Sequence, residues 1–201
     1  MSSKLFYVFL ISTFVINAIV AQETEEIVSV ASYIESSELN ASPVDVITAE
    51  EFKNIRVSSV AELSKYLSIA SGSNFQTNAL DGVDQGMANI TLRGMDHAST
   101  LVLINKKRQT HSGTPSDEGE GYIDINIIPE IALDRIEILK DGATSLYGSD
   151  AVAGVINFHT YQEFDGMRIA LGSQKTSNYD QRDNSLGALF GGEAYGGNYV
   201  F

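Results

Sequence analysis

The chain has 201 residues, 43% of them apolar, with 17 glycines and three prolines, which is room for one domain, a modest extension and a buried core. A formal net charge of −13, from 13 Lys and Arg against 26 Asp and Glu, excludes a protein that seeks nucleic-acid phosphate. The absence of cysteine excludes a disulfide framework, a thiolate zinc site and a cysteine nucleophile.

Met1 to Ala21 has the form of an export signal, with Lys4 as the positive start, Leu5 to Ile16 as the apolar middle, and Ala18 or Ala21 as the small residue for cleavage. Leu5 to Val20 contains Ser12, Thr13 and Asn17 and falls short of the roughly 20 apolar residues that a spanning helix needs. An exported, cysteine-free chain points to work in or beyond a bacterial periplasm. The next segment is acidic through Glu26, then β-branched at Ile27, Val28 and Val30 around Ser29, and it continues as a polar leash to Pro43. An extended segment of this kind can offer its backbone to the edge of another sheet, with alternate side chains setting the register.

Val44 to Ile47 reads as a strand, and Thr48 with Glu51 has capping-box spacing for a short helix carrying Phe52. Ser59 and Glu62 repeat that spacing. Val60, Leu63 and Leu67 share a face, so an amphipathic helix is predicted from Ser59 to about Ser68, ending before Gly72. Phe75-Gln76-Thr77 follows. Asn78 to Met87 is a polar loop with Asp81 and Asp84, without the spacing or closing glutamate of a calcium loop. Ile90 to Gly94 reads as a strand in which Arg93 is the exception: a cation among apolar neighbours requires carboxylate partners, and Glu137 is the local candidate.

Thr100 to Ile104 is the continuous apolar run of a strand covered on both faces. Thr110 to Tyr122, with His111, Asp117, Glu118 and Glu120, is an acidic surface loop. One histidine among clustered acids is read as solvated, so no metal is assigned. No nucleophile elbow and no phosphate-cradling loop is found, and enzyme activity has no positive support.

The chain is organised around Ile128 to Thr160. Asp134 to Lys140 alternates charged and apolar side chains, Asp141-Gly142 turns, Ala143 to Tyr147 has room for a turn or two of helix, and Gly154 opens a second strand running to Thr160. Two apolar strands joined so briefly must lie close together. Gly142, Gly148 and Gly154 therefore mark places where a side chain would clash or φ must be positive. The ordered set Ile128-Pro129, Arg135-Ile136-Glu137, Leu139, Leu146-Tyr147-Gly148, Ala151, Gly154-Val155-Ile156-Asn157 and Thr160 resembles the end of the plug domain of TonB-dependent outer-membrane receptors. Ile90 to Gly94 resembles the I-R-G strand of that family. Two departures stand out: Asn105-Lys106-Lys107-Arg108 replaces the usual Asp-Gly turn, and Lys140-Asp141-Gly142 replaces Arg-Gly-Pro.

Beyond Tyr161, Met167, Ile169 and Leu171 alternate with Arg168, Ala170 and Gly172, and Leu186, Ala188 and Phe190 alternate with Gly187, Leu189 and Gly191. Each run suits a strand with one lipid face and one inner face. Gly192, Gly196 and Gly197 are expected to break the pattern, with a third strand beginning at Tyr199. Two or three strands cannot close a barrel, and plugged transporters need about 22, so the sequence is read as the front piece of a longer receptor, cut early in its barrel.

The resemblance implies an α+β fold, a plug domain with a small mixed β-sheet and short helices, followed by the first two or three strands of an incomplete transmembrane β-barrel. It divides the chain into a signal peptide (1–21), a TonB box and linker (22–43), the plug (44–160) and the start of the barrel (161–201). It implies that Glu26, Ile27, Val28, Ser29 and Val30 engage TonB, which works with ExbB and ExbD. Arg93, Lys140 and Glu137 are implied as plug–barrel contacts, with Lys140 acting as a point charge where the family has an arginine. Asp81, Asp84, His111, Asp117, Glu118, Glu120 and Tyr122 are implied as apical loop residues facing a small-molecule or metal-chelate ligand, with no cofactor. The implied role is active uptake of a scarce nutrient of the siderophore, cobalamin or oligosaccharide class, in the outer membrane of a Gram-negative bacterium with the plug in the barrel lumen. A free-standing periplasmic plug-like binding module is the alternative.

Overall fold

The computed structural model describes residues 44–55, 57, 59–73, 86–116, 119–175, 182–194 and 196–201. The export signal, Glu26 to Val30, Phe75-Gln76-Thr77, Asp81, Asp84, Asp117 and Glu118 lie outside the described residues.

Strand β1 (Val44–Thr48) passes into helix α1 (Ala49–Ile55) through the expected capping box. Thr48 Oγ1 accepts from the Glu51 amide at 3.3 Å, and the Glu51 carboxylate accepts from the Thr48 amide at 2.9 Å. Glu50 and Glu51 in the first turn and Lys53 in the last complement the helix dipole, and Phe52 is buried.

The second predicted helix is shorter and tighter than expected: a 3₁₀ segment, Val60–Lys65, capped by Ser59. Val60, Ala61, Leu63 and Ser64 are all buried, so inward residues stack at a spacing of three, which is the 3₁₀ period. The Ser64 hydroxyl donates to the Ala61 carbonyl at 3.0 Å and competes with an α-helical ladder there.

Ile90 to Gly94 is not a strand. Its amides are held individually: Thr91 N donates to Ser73 Oγ at 2.9 Å, Leu92 N to Thr100 Oγ1 at 2.9 Å, and Arg93 N to the Ile69 carbonyl at 2.7 Å. Arg93 and Gly94 then take φ values of +60° and +67°, which no strand accommodates.

Strands β2 (Thr100–Ile104), β3 (Lys107–Arg108), β4 (Leu133–Leu139) and β5 (Gly154–Thr160) join β1 in a five-stranded mixed sheet of order β1-β4-β5-β2-β3. Strands β2 and β5 run parallel, and the other neighbours are antiparallel. Between β2 and β3, Asn105 and Lys106 adopt φ of +50° and +65°, the paired positive values of a two-residue hairpin turn, so the departure from Asp-Gly keeps the geometry. The Asn105 side chain holds Thr160 in return, accepting from its amide at 2.9 Å and donating to its hydroxyl at 2.8 Å.

From β4 the chain passes through helix α2 (Thr144–Tyr147) and a 3₁₀ turn, Ser149–Ala151, into β5, which is the predicted strand, turn, short helix, strand. Gly154 has φ +141°, and a Cβ there would lie 2.4 Å from the Leu139 carbonyl oxygen. The same expectation is met at Gly148, with φ +85°, and at Gly142, where a Cβ would stand 2.9 Å from the Val152 carbonyl oxygen.

Period-two alternation sorts the sheet's two faces. Ile136, Ile138, Ile156, Phe158 and Val102 pack with Phe52, Val60, Leu63, Ile90, Leu92 and Ile125 in the main core. Leu101, Leu103, Leu139 and Val155 form a smaller core with Ala143, Tyr147 and Ala151 of the connector. Each fully buried aliphatic side chain contributes about 1.5–3 kcal/mol.

A second, antiparallel sheet has the order β6 (Gly166–Lys175), β7 (Arg182–Ala194), β8 (Gly197–Val200). Contrary to expectation, β7 continues through Gly192 to Ala194, and β8 begins at Gly197. The glycine at 192 admits the Tyr199 ring across the ladder, since a Cβ would meet its hydroxyl at 2.7 Å. Met167, Ile169 and Leu171 oppose Phe190, Ala188 and Leu186 on one exposed face, whereas Leu189 on the other is 2% exposed. No described helix is long and apolar enough to cross a membrane.

Gly154→Ala would have to adopt a φ that L-residues avoid and displace a backbone carbonyl, and is expected to destabilise the fold by about 3 kcal/mol in equilibrium denaturation.

Candidate functional site

Two cations lie near the Gly154 end of the mixed sheet. Arg93 donates through Nε and Nη2 to the Ala153 carbonyl at 3.1 and 2.7 Å, so an exposed residue is held by both side chain and backbone. Gly154 is where the two chain segments converge: its absent Cβ would lie 2.7 Å from Leu92 Cδ1 and 2.4 Å from the Leu139 carbonyl oxygen, placing Arg93 and Lys140 next to the same glycine. Lys140 pairs with Asp45 of β1.

Glu137 does not join them, and the expectation that it partners Arg93 is corrected. The Glu137 side chain is 0% exposed, and its Oε1 accepts from Arg135 Nε at 3.1 Å and lies 3.2 Å from His159 Nε2. The reason is register. Arg135 and Glu137 share a face of β4 and lie opposite His159 and Asn157 of β5. A carboxylate so enclosed presents no surface for a contact outside its own domain.

Asn157 extends the cluster. Its Nδ2 lies 2.7 Å from His159 Nε2, and its Oδ1 accepts from the Lys106 amide at 3.0 Å. The face opens on a recess of about 480 Å³ lined by Lys106, Asp134, Arg135, His159 and Tyr161, among others. The sequence places Asn157 in the family resemblance without giving it a role, and it gives His159 none. The available signal was their period-two placement opposite the core-facing Ile156 and Phe158.

The Thr110 to Tyr122 loop closes on itself. Ser112 N donates to the Tyr122 carbonyl at 2.8 Å, Ser116 N to the Glu120 carbonyl at 2.9 Å, and Glu120 N to Ser116 Oγ at 3.2 Å. Tyr122, expected to face a ligand, is 7% exposed: it is the first residue of the segment that carries Ile125 into the core. The His111 ring packs on Gly121, where a Cβ would lie 2.4 Å from Nδ1. Glu120 is half-buried, and its Oε2 has no hydrogen-bond partner among the described residues. Among the described residues no three His, Asp or Glu side chains gather as metal ligands.

Arg108 ties the root of this loop to the α2 connector, donating to Asp150 Oδ2 at 2.5 Å and to the Tyr147 carbonyl. The Arg108 hydrogen bond, followed by that from Ser149, holds the Asp150 carboxyl below its ordinary range.

Comparison with known proteins is consistent throughout. The family model described as TonB-dependent Receptor Plug Domain matches residues 37–155. The iron-regulated outer membrane virulence protein of Vibrio cholerae is 41% identical over 76 residues, 37% of this chain and 12% of that protein. The ferric enterobactin receptor PirA of Pseudomonas aeruginosa is 31% identical over 136 residues, covering 65% of this chain and 18% of the receptor. The vitamin B12 transporter BtuB of Vibrio vulnificus is 30% identical over 142 residues, covering 64% and 22%. The crystal structure of the siderophore receptor PirA from Acinetobacter baumannii superposes with a TM-score of 0.56 at 26% identity, over 78% of this chain and 24% of that one. The chain thus spans less than a quarter of the length of these relatives.

Glu137→Ala leaves Arg135 and His159 facing an empty buried site and is expected to cost about 3 kcal/mol, read by denaturant titration. A depressed Asp150 pKa contributes stability that is present above the unfolded-state value, about 3.9, and is lost as pH falls through the folded value. The acid limb of stability is therefore expected to be shallower in Asp150→Asn, as measured by thermal unfolding across the acid range.

Proposed function

This chain belongs to the TonB-dependent receptor plug domain family, and on that premise we propose that it forms the plug portion of an outer-membrane receptor for active uptake of a metal chelate, of the siderophore or cobalamin class. The observation that carries the reading is the direct succession of two sheets. A mixed sheet with Arg93 and Lys140 near one end is followed at once by antiparallel strands whose outward face is apolar and whose inner face meets the turn Glu130–Ala132 that leads into β4, at Gly187 against Ile131. An apolar, exposed strand face suits lipid, and it weighs against a free-standing periplasmic module.

In this reading residues 1–21 direct export, 22–43 carry the TonB-engaging segment Glu26 to Val30, 44–160 are the plug, and 161–201 begin the barrel. The plug fills the lumen. Arg93 and Lys140, both partly solvent-facing, meet acidic groups of the surrounding wall, and the loop bearing His111 and Glu120 faces the incoming ligand. TonB, driven with ExbB and ExbD, takes hold of Ile27 to Val30 by strand addition and opens a path past the plug.

The test uses cells expressing the receptor that carries this chain, with ferric enterobactin and cyanocobalamin as radiolabelled probes. Deletion of Glu26 to Val30 is expected to leave surface binding of one probe intact and to reduce its accumulation to the level of cells lacking TonB. Undiminished accumulation of both probes in the deletion strain would overturn the reading.

A further inference from the structure

We propose that Arg168, the connector Tyr161 to Asp165 and the inner face of β7 form a clasp that fixes the C-terminal root of the plug to the wall, so that rearrangement is confined to the plug's other end. This rests on reading the two sheets as plug and wall.

Arg168 occupies an inward position of β6, opposite the buried Leu189. A cation there could extend into solvent, yet its guanidinium carbon lies 5.0 Å from the Tyr161 ring centroid and 5.1 Å from that of Phe164. Nη1 also donates to the Tyr161 hydroxyl at 3.2 Å, and the two rings sit 5.6 Å apart. A planar cation against two aromatic rings is an attractive arrangement that an ammonium reproduces only in part.

The facing strand is cut to receive the same segment. Gly187, Leu189 and Gly191 are successive inward positions of β7. A Cβ at Gly191 would lie 2.2 Å from the Phe164 carbonyl oxygen, and one at Gly187 would lie 3.3 Å from Ile131 Cβ. Ile131 belongs to the 3₁₀ turn Glu130–Ala132, whose Ala132 carbonyl accepts from the Tyr161 amide at 3.0 Å. Plug, connector and wall are thus joined at Ile131 on Gly187, at Arg168 beneath Tyr161 and Phe164, and at Phe164 on Gly191.

The opposite margin of the plug is built differently. Strand β1, which follows the TonB-engaging segment in sequence, is an edge strand that among the described residues pairs with β4 alone. Tension entering at Val44 falls on a single ladder, whereas the exit from the central strand β5 is held by the clasp.

Hydrogen exchange on the full receptor tests this. Arg168→Leu is expected to speed exchange of the Tyr161 to Gly166 amides roughly five- to thirty-fold while leaving the β1–β4 ladder unchanged. Arg168→Lys should fall between Arg168→Leu and wild type, and Tyr161→Phe, which removes only the hydroxyl, should have the smallest effect. Unchanged connector exchange in Arg168→Leu would overturn the clasp, as would a rise of equal size in the β1–β4 ladder. A lock gives a second readout. Ile131→Cys with Gly187→Cys places two thiols close to disulfide geometry in a chain that has no other cysteine. The oxidised double variant is expected to accumulate ferric enterobactin as well as its reduced form does, and a block relieved by reduction would refute a fixed root. Failure of the unmodified receptor to take up that probe bears on the proposed function alone, because the exchange pattern is read without transport.

Discussion

Two main-chain segments come together where the Leu139 carbonyl occupies the space that a side chain at residue 154 would need. Because only glycine permits this, β5 is delivered against β4 in a single register, and that register assigns each side chain its face. Ile136, Ile138, Ile156 and Phe158 become core, and Glu137 and Asn157 become a buried polar pair. A slip of one residue would drive the carboxylate into the main core. Strand β1 then adds to the outer side of β4 and β2 to the outer side of β5, which completes the sheet.

A chain of net charge −13 with no disulfide uses its cations as fasteners. Arg93 holds Ala153 across 60 residues of sequence, Arg108 holds Tyr147 and Asp150, Lys140 holds Asp45, and Arg168 holds the connector rings. Arg93, Arg108 and Lys140 join segments far apart in sequence, whereas Arg168 folds back on the connector just before its own strand. The acceptors are often carbonyls or ring faces, so these contacts are less dependent on ion pairing than the net charge alone would imply. Glu137 is the converse case: a fully buried carboxylate with Arg135 and His159 beside it to offset desolvation.

The region from β4 to β5 was legible because alternation, turn residues and glycines all agreed there. Ile90 to Gly94 was misread because an apolar run has the same composition in a strand and in a buried irregular segment. Two hydroxyls, Ser73 and Thr100, decided the matter by taking its amides. The face of Glu137, shared with Arg135, could be read from its position, but His159 and Asn157 could not, since they come from a register set 20 residues further on. Tyr122 looked like a loop residue because sequence shows no boundary between the acidic loop and the segment entering the core. Gly192 suggested a break in β7, but pairing with β8 across Tyr199 outweighed its weak strand preference. Arg168 carried no motif at all, because its aromatic partners belong to a connector whose path is a property of the fold.

The apolar stripe of β6 and β7 is a liability wherever water can reach it. Met167 is 63% exposed, Leu171 80% and Leu186 77%, and β6 is an edge of its sheet. In water such a stripe invites pairing with other copies and aggregation. The first sheet closes its own core and needs no such shelter. The two halves therefore tolerate water differently: the mixed sheet is self-sufficient there, and the antiparallel sheet gains from any apolar surface that covers its stripe.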